Sequence, residues 1–130
     1  MQSAHLRAVT TSAAPRPGGA YSQAIAAGTI LFVAGQVPKR PADETIPSDF
    51  ESQAHQALQN LAAVLHEAGG TLRDVVRVGV YLNSLDDFPT MDRIYREYFT
   101  TPHPARTTVG VTLRGFLLEV DAVAVLGSAQ

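Results

Sequence analysis

With 130 residues, 45% of them hydrophobic, the chain is long enough to bury a core of its own, and one domain spanning residues 1–130 is expected. Ten basic against twelve acidic residues give a formal net charge of -2, which leaves no electrostatic footprint for nucleic acid or an anionic membrane. The absence of cysteine excludes disulfides, thiol catalysis and Cys-based metal sites; no apolar run suits a signal peptide or the roughly 20 residues of a membrane span, so a cytoplasmic protein is expected.

Residues 5–10 allow a short first strand, and Pro15, Pro17, Gly18 and Gly19 break regular structure after it. Tyr21 to Ala27, a reversal at Gly28-Thr29 and Ile30 to Gly35 predict a hairpin whose later strand, apolar on both faces, is central in its sheet. Three prolines and mixed charges make Gln36 to Pro47 a surface loop. Ser48 and Glu51 stand at capping-box spacing, and Phe50, Ala54, Ala57, Leu58, Leu61, Leu65 and Ala68 follow at helical spacing up to Gly69-Gly70.

Val75 to Asn83 alternates as a strand, with Val76, Val78, Val80 and Leu82 on one face and Arg77, Gly79, Tyr81 and Asn83 on the other. A second helix fits Asp87 to Phe99, with Pro89 in its first turn and a stripe of Phe88, Met91, Ile94, Tyr95 and Phe99. Two alternating stretches then flank Arg114-Gly115, Arg106 to Leu113 and Leu117 to Leu126, and predict a closing β-hairpin. A two-residue turn there would place Thr108 opposite Asp121 and Gly110 opposite Glu119 on one face.

The expected order is thus ββ, α, β, α, ββ with a possible extra strand at the start. Two helices on one face of such a sheet leave the other uncovered, with Val75, Leu117, Val123 and Val125 among its polar groups. Closure through copies of the same chain would bury it, so an oligomer is expected.

Among chemical groups, the four histidines His5, His55, His66 and His103 do not form a ligand set: His55 and His66 lie about 16 Å apart along one helix at 1.5 Å per residue, and read as surface side chains. His103, near Arg106, is either loop filler or the border of a cleft. No Walker loop, GxGxxG, GxSxG or HExxH occurs. Lys39 in a Pro-rich loop is a poor Schiff-base former. Arg106, at the mouth of a strand, could grip a planar carboxylate with two parallel hydrogen bonds, or could form a structural salt bridge with Asp121 or Glu119.

Six segments, in order, carry a resemblance: Arg16 to Ala24 (RPGGAYSQA), Val33 to Pro38 (VAGQVP), Gln56 to Leu61 (QALQNL), Asp87-Phe88, Tyr95 to Phe99 (YREYF) and Pro104 to Thr107 (PART). The chain resembles the RidA family, the YjgF-like reactive-intermediate deaminases, in register from about Pro15 to Ala124. The resemblance implies an α+β, chorismate-mutase-like fold, a mixed β-sheet with two helices packed on one face that assembles as a trimeric barrel with ligand sites between subunits. It also implies cofactor-independent hydrolysis of enamines and imines such as 2-aminoacrylate to 2-oxo acids and ammonia. By position, Arg106 would bind the substrate carboxylate and Glu119 would position or activate water. Tyr21 and Gly35 would line the cleft.

At three further positions of that pattern this chain departs from the family: Ala34 stands for the usual serine, Asp92 for asparagine and Thr108 for a frequent cysteine. Ala20 replaces a proline, and the turn at Arg114-Gly115 is about two residues short. Retention of Arg106 and Glu119 favours deaminase chemistry, and the serine lost at Ala34 implies a different substrate range or weaker activity. Two other readings accompany the hydrolase: a non-catalytic trimeric module that binds small carboxylates or 2-oxo acids, and an endoribonuclease, which the acidic net charge disfavours.

Overall fold

The computed structural model describes residues 5–127. Six strands and two α-helices follow one another as β1 (Leu6–Val9), β2 (Ala24–Ala27), β3 (Ile30–Gln36), α1 (Phe50–Glu67), β4 (Val75–Leu82), α2 (Phe88–Tyr98), β5 (Ala105–Gly110) and β6 (Leu118–Val125). The sheet order is β1-β2-β3-β6-β4-β5. All neighbours are antiparallel except β4 and β5, so the sheet is mixed and the fold α+β.

Local sequence accounts for most boundaries. The β2–β3 hairpin reverses at Gly28, whose φ of 61° suits a residue without a side chain. Helix α1 starts one residue later than the Ser48–Glu51 box predicts: the Asp49 side chain caps it, accepting from the Ser52 amide at 2.9 Å. It stops at Gly69, whose φ is 91°, with the Gly70 amide donating to Leu65 O at 2.8 Å. Helix α2 carries Pro89 in its first turn and buries Met91, Ile94 and Tyr95.

Both helices cover one face. Leu61 and Leu65 of α1 and Ile94 of α2 are fully buried with Leu31, Val78 and Val80 of the sheet. Gln53 and Asn60, polar but buried on α1, tie down loops: Asn60 donates to Val37 O and Lys39 O at 2.9 Å, and Gln53 accepts from the Leu117 amide at 2.8 Å. The opposite face is bare. Ile30, Phe32 and Val125 there are 42%, 50% and 47% exposed. No helix among the described residues is long and apolar enough to cross a membrane.

Two expectations fail on strand order and register. The closing hairpin does not form, because β4 lies between β5 and β6, parallel to one and antiparallel to the other. Arg114-Gly115 sits instead in an irregular stretch, where the Leu113 amide donates to Asn83 Oδ1 at 3.0 Å. The strand-helix-strand passage from β4 through α2 to β5 is the connection a parallel pair requires. Val75 was expected on the bare face, yet it is 7% exposed and pairs with Ala124 on the helix side. A register shift between Val75 and Arg77 leaves Val76 exposed.

Leu61 is 0% exposed. Leu61→Ala is expected to cost about 2–5 kcal/mol through lost burial and the cavity left behind, read as a lower urea midpoint at unchanged slope.

Candidate active site

Residues directly opposite in a sheet share a face, so the register assigns each candidate side chain to a side. Val78 pairs with both Arg106 and Ala122, and Val80 with Thr108 and Val120, which puts Arg106 and Thr108 on the helix side. Tyr81 pairs with Val109 and Glu119, and Gly79 with Thr107 and Asp121, which puts Glu119 and Asp121 on the bare side. Within one chain Arg106 and Glu119 therefore point away from each other. The shared face expected from the hairpin is replaced by two half-sites.

The first half-site is built on α2 and β5. Arg106 lies 4.6 Å above the Tyr95 ring and 5.5 Å from that of Phe88, an aromatic seat that holds a guanidinium flat. Neither Asp121 nor Glu119 is its partner; Arg106 Nη1 meets Asp92 Oδ1 at 2.9 Å. The other Asp92 oxygen accepts from Arg96, one turn further along α2, at 3.1 Å. Two guanidinium groups thus face one carboxylate, which leaves a surplus positive charge. Asp92, Tyr95, Arg96, His103, Pro104 and Arg106 line a hollow of about 290 Å³. His103 borders the cleft.

The second half-site is built on the β3–β6 pair and the loop before β2. A register shift between Val33 and Gln36 turns Ala34 and Gly35 out of the ladder. Gly35 leaves the space that the Glu119 carboxylate occupies, since a Cβ there would displace it. Glu119 is half-buried, and burial first, then the charge of Asp121, push its carboxyl above the usual 4.5. Tyr21, Gly35, Arg16 and Lys39 line a hollow of about 200 Å³. The Tyr21 hydroxyl accepts from the Gly18 amide at 3.0 Å, folding the ring back over the Gly18-Gly19 turn. Ala34 is fixed by its backbone: its amide donates to Gln23 O at 2.9 Å and its carbonyl accepts from Gln36 Nε2 at 3.1 Å.

The candidates therefore fall into Arg106, Asp92 and Thr108 on one side and Glu119, Gly35, Ala34 and Tyr21 on the other. Three contributors escaped the sequence reading. Arg96 had a signal, its four-residue spacing from Asp92 on a helix. Tyr95 was assigned to the core stripe, which it joins at 4% exposure, with no hint that its ring also carries Arg106. Tyr81, which donates to Asp121 Oδ2 at 2.8 Å, had none without the strand order.

Bonding to Arg106 first, opposed by burial and reinforced by Arg96, holds the Asp92 carboxyl below its usual range. Its contribution to stability is thus present above the unfolded value near 3.9 and is lost as pH falls through the lower folded value. Asp92→Asn is expected to weaken the fold at neutral pH and to flatten the decline below about pH 4, as read from urea midpoints across that range.

Residues 11–126 match the model of the family described as endoribonuclease L-PSP. A RutC family protein of Pyrococcus horikoshii is 44% identical over 119 residues, 89% of this chain and 94% of that one. A 2-iminobutanoate/2-iminopropanoate deaminase of Rattus norvegicus is 36% identical, over 98% of this chain and 95% of its own. The crystal structure of RidA from an Antarctic Psychrobacter superposes with a TM-score of 0.90 at 30% identity, over 92% of this chain and 99% of that one. The match spans both half-sites and every strand from β2 to β6, and the chain belongs to the RidA/YjgF-like family.

Proposed function

We propose that the protein hydrolyses small 2-imino acids and their enamine tautomers to 2-oxo acids and ammonia, without a cofactor, at sites where the Arg106 half of one copy meets the Glu119 half of another. The observation that carries this reading is the placement of Arg106 on its aromatic seat, beside a hollow and with surplus positive charge. A guanidinium held flat, with one edge spent on Asp92, can present another edge to a substrate carboxylate. The hollow of about 290 Å³ suits a ligand smaller than a drug-sized molecule.

An iminium carbon is already electrophilic, so hydrolysis needs orientation, a water molecule and an acceptor for its proton. Arg106 supplies orientation. Glu119, whose carboxyl burial pushes upward, is the acid suited to accept that proton. The relative named 2-iminobutanoate/2-iminopropanoate deaminase supports the same chemistry.

Opposite faces of one sheet cannot close on one small molecule, so the reading requires a second copy. The bare face offers the contact: Ile30, Phe32 and Val125 form an apolar patch about half exposed in the single chain, and burying such a patch in a closed ring is favourable. A homotrimeric barrel is the assembly the family resemblance implies. Phe32→Glu places a charge in that patch; wild-type protein is expected to sediment as a trimer and the variant as a monomer.

A second reading, a trimer that binds 2-oxo acids without turnover, is favoured by two features of the site. Asp92 competes for Arg106, and Ala34 offers no hydroxyl. Coupled assays decide between the two. Purified protein is expected to accelerate 2-oxo acid formation from an amino-acid oxidase's imine product, and Arg106→Ala to lower that acceleration by a hundredfold or more, about 2.7 kcal/mol. Saturable 2-oxobutyrate binding with no turnover of any imine would select the binding module.

A further inference from the structure

The bare face of the sheet carries a second acid close to Glu119. Asp121 lies two residues along β6, on the same side, and both its oxygens are engaged. The Gly79 amide donates to Oδ1 at 3.1 Å and the Tyr81 hydroxyl to Oδ2 at 2.8 Å. These are oriented donors. Gly79 admits the carboxylate because a Cβ there would collide with Asp121 Oδ1 and lie 2.8 Å from the Tyr81 hydroxyl. The register places Tyr81 directly opposite Glu119, so its side chain must lean two positions along the ladder, diagonally on the same face, to reach Asp121.

The loops around the Gly35 hollow bring Arg16, Lys39 and Tyr21 to the Glu119 half-site, and Arg16 is paired with Glu44 at 2.9 Å. On the strand of Glu119 itself the group is Asp121; from β4 come Tyr81 and Arg77, the latter donating to Thr107 Oγ1 at 3.2 Å. From β3 come Ala34 and Gly35, which do not titrate, and from β5 Thr107 and Val109. Arg106 points to the other side of the sheet. Among the described residues Glu119 takes part in no ion pair.

We propose that Asp121, braced by Tyr81 and Gly79, is a positioning residue for Glu119: a fixed second negative charge beside it that lets Glu119 take a proton and give it back within one turnover. The proposal rests on the deaminase reading. In the first step the water oxygen bonds to the carbon of the protonated imine (C=NH2+), the C=N pair moves to nitrogen to leave a neutral amine, and one water proton goes to Glu119. In the second, Glu119 returns that proton to nitrogen, the C–N bond breaks, ammonia leaves, and the hydroxyl loses its proton to solvent as C=O forms. A carboxylate far from any like charge would accept the proton less readily at neutral pH; its neighbour's charge corrects that.

Two variants test it in the full-length assembled protein. Asp121→Asn keeps an oxygen to accept from the Gly79 amide and sets an Nδ2 donor against the Tyr81 hydroxyl, which can accept from it, while removing the charge; Tyr81→Phe releases one Asp121 oxygen while leaving the charge. The readouts are the pH profile of kcat/KM on an oxidase-generated 2-imino acid and the midpoint of the Glu119 carboxyl followed by ¹³C NMR. In Asp121→Asn the acid limb and the Glu119 midpoint are expected to move together to lower pH by about one unit. In Tyr81→Phe the midpoint is expected to stay or rise, the opposite sign. A Glu119 midpoint unchanged in Asp121→Asn, or lowered equally in both variants, overturns the positioning role. Wild-type protein with no turnover, in which the midpoint still follows Asp121, ends the deaminase reading and leaves the coupling between the two acids supported.

Discussion

Strand β4 is the constraint on which the rest depends. By lying between β5 and β6, it pairs with each of them across six or more positions and forces the sheet to be mixed. Because side chains alternate across a strand, the register against β4 decides which side every candidate residue faces. Shifting β5 by one residue would send Arg106 to the bare face and Thr107 to α2. The aromatic seat on Tyr95 and the ion pair with Asp92 exist only in the observed register.

The same strand supplies the electrostatics of the other side. Gly79 and Tyr81 of β4 hold Asp121, while the bulge in β3 clears a space that Glu119 fills over Gly35. The result is a chain with the Arg106–Arg96 pair on one face and the Glu119–Asp121 pair on the other. Each is incomplete for a substrate that carries both a carboxylate and an electrophilic carbon. Assembly through the apolar patch at Ile30, Phe32 and Val125 would remove two problems together, exposed hydrophobic surface and separated chemistry. Fold and function would then share one interface, so that a surface substitution far from Arg106 could silence it.

Much of this was legible from residues alone. The helix over Phe50–Glu67 follows from its apolar spacing and its terminal glycines, and only the cap moved, from Ser48 to Asp49, since either side chain can accept from the first-turn amides. The hairpin at Gly28-Thr29 follows from local turn chemistry. The closing hairpin was misread because Arg106 to Leu113 and Leu117 to Leu126 alternate as well as any hairpin pair, and alternation names faces without naming neighbours. The strand-helix-strand order around α2 did hold the signal for a parallel pair.

The sequence by itself determined the two helices, the course of most strands and the family, because these rest on periodicity, capping and ordered motifs within short windows of chain. Only the tertiary structure decided that Arg106 faces Asp92 and that Glu119 lies on the far side beside Asp121 and Tyr81. Those relations depend on which strands hydrogen-bond to which. That choice is made by long-range packing of the whole sheet against α1 and α2, and alternation within a single strand does not encode it.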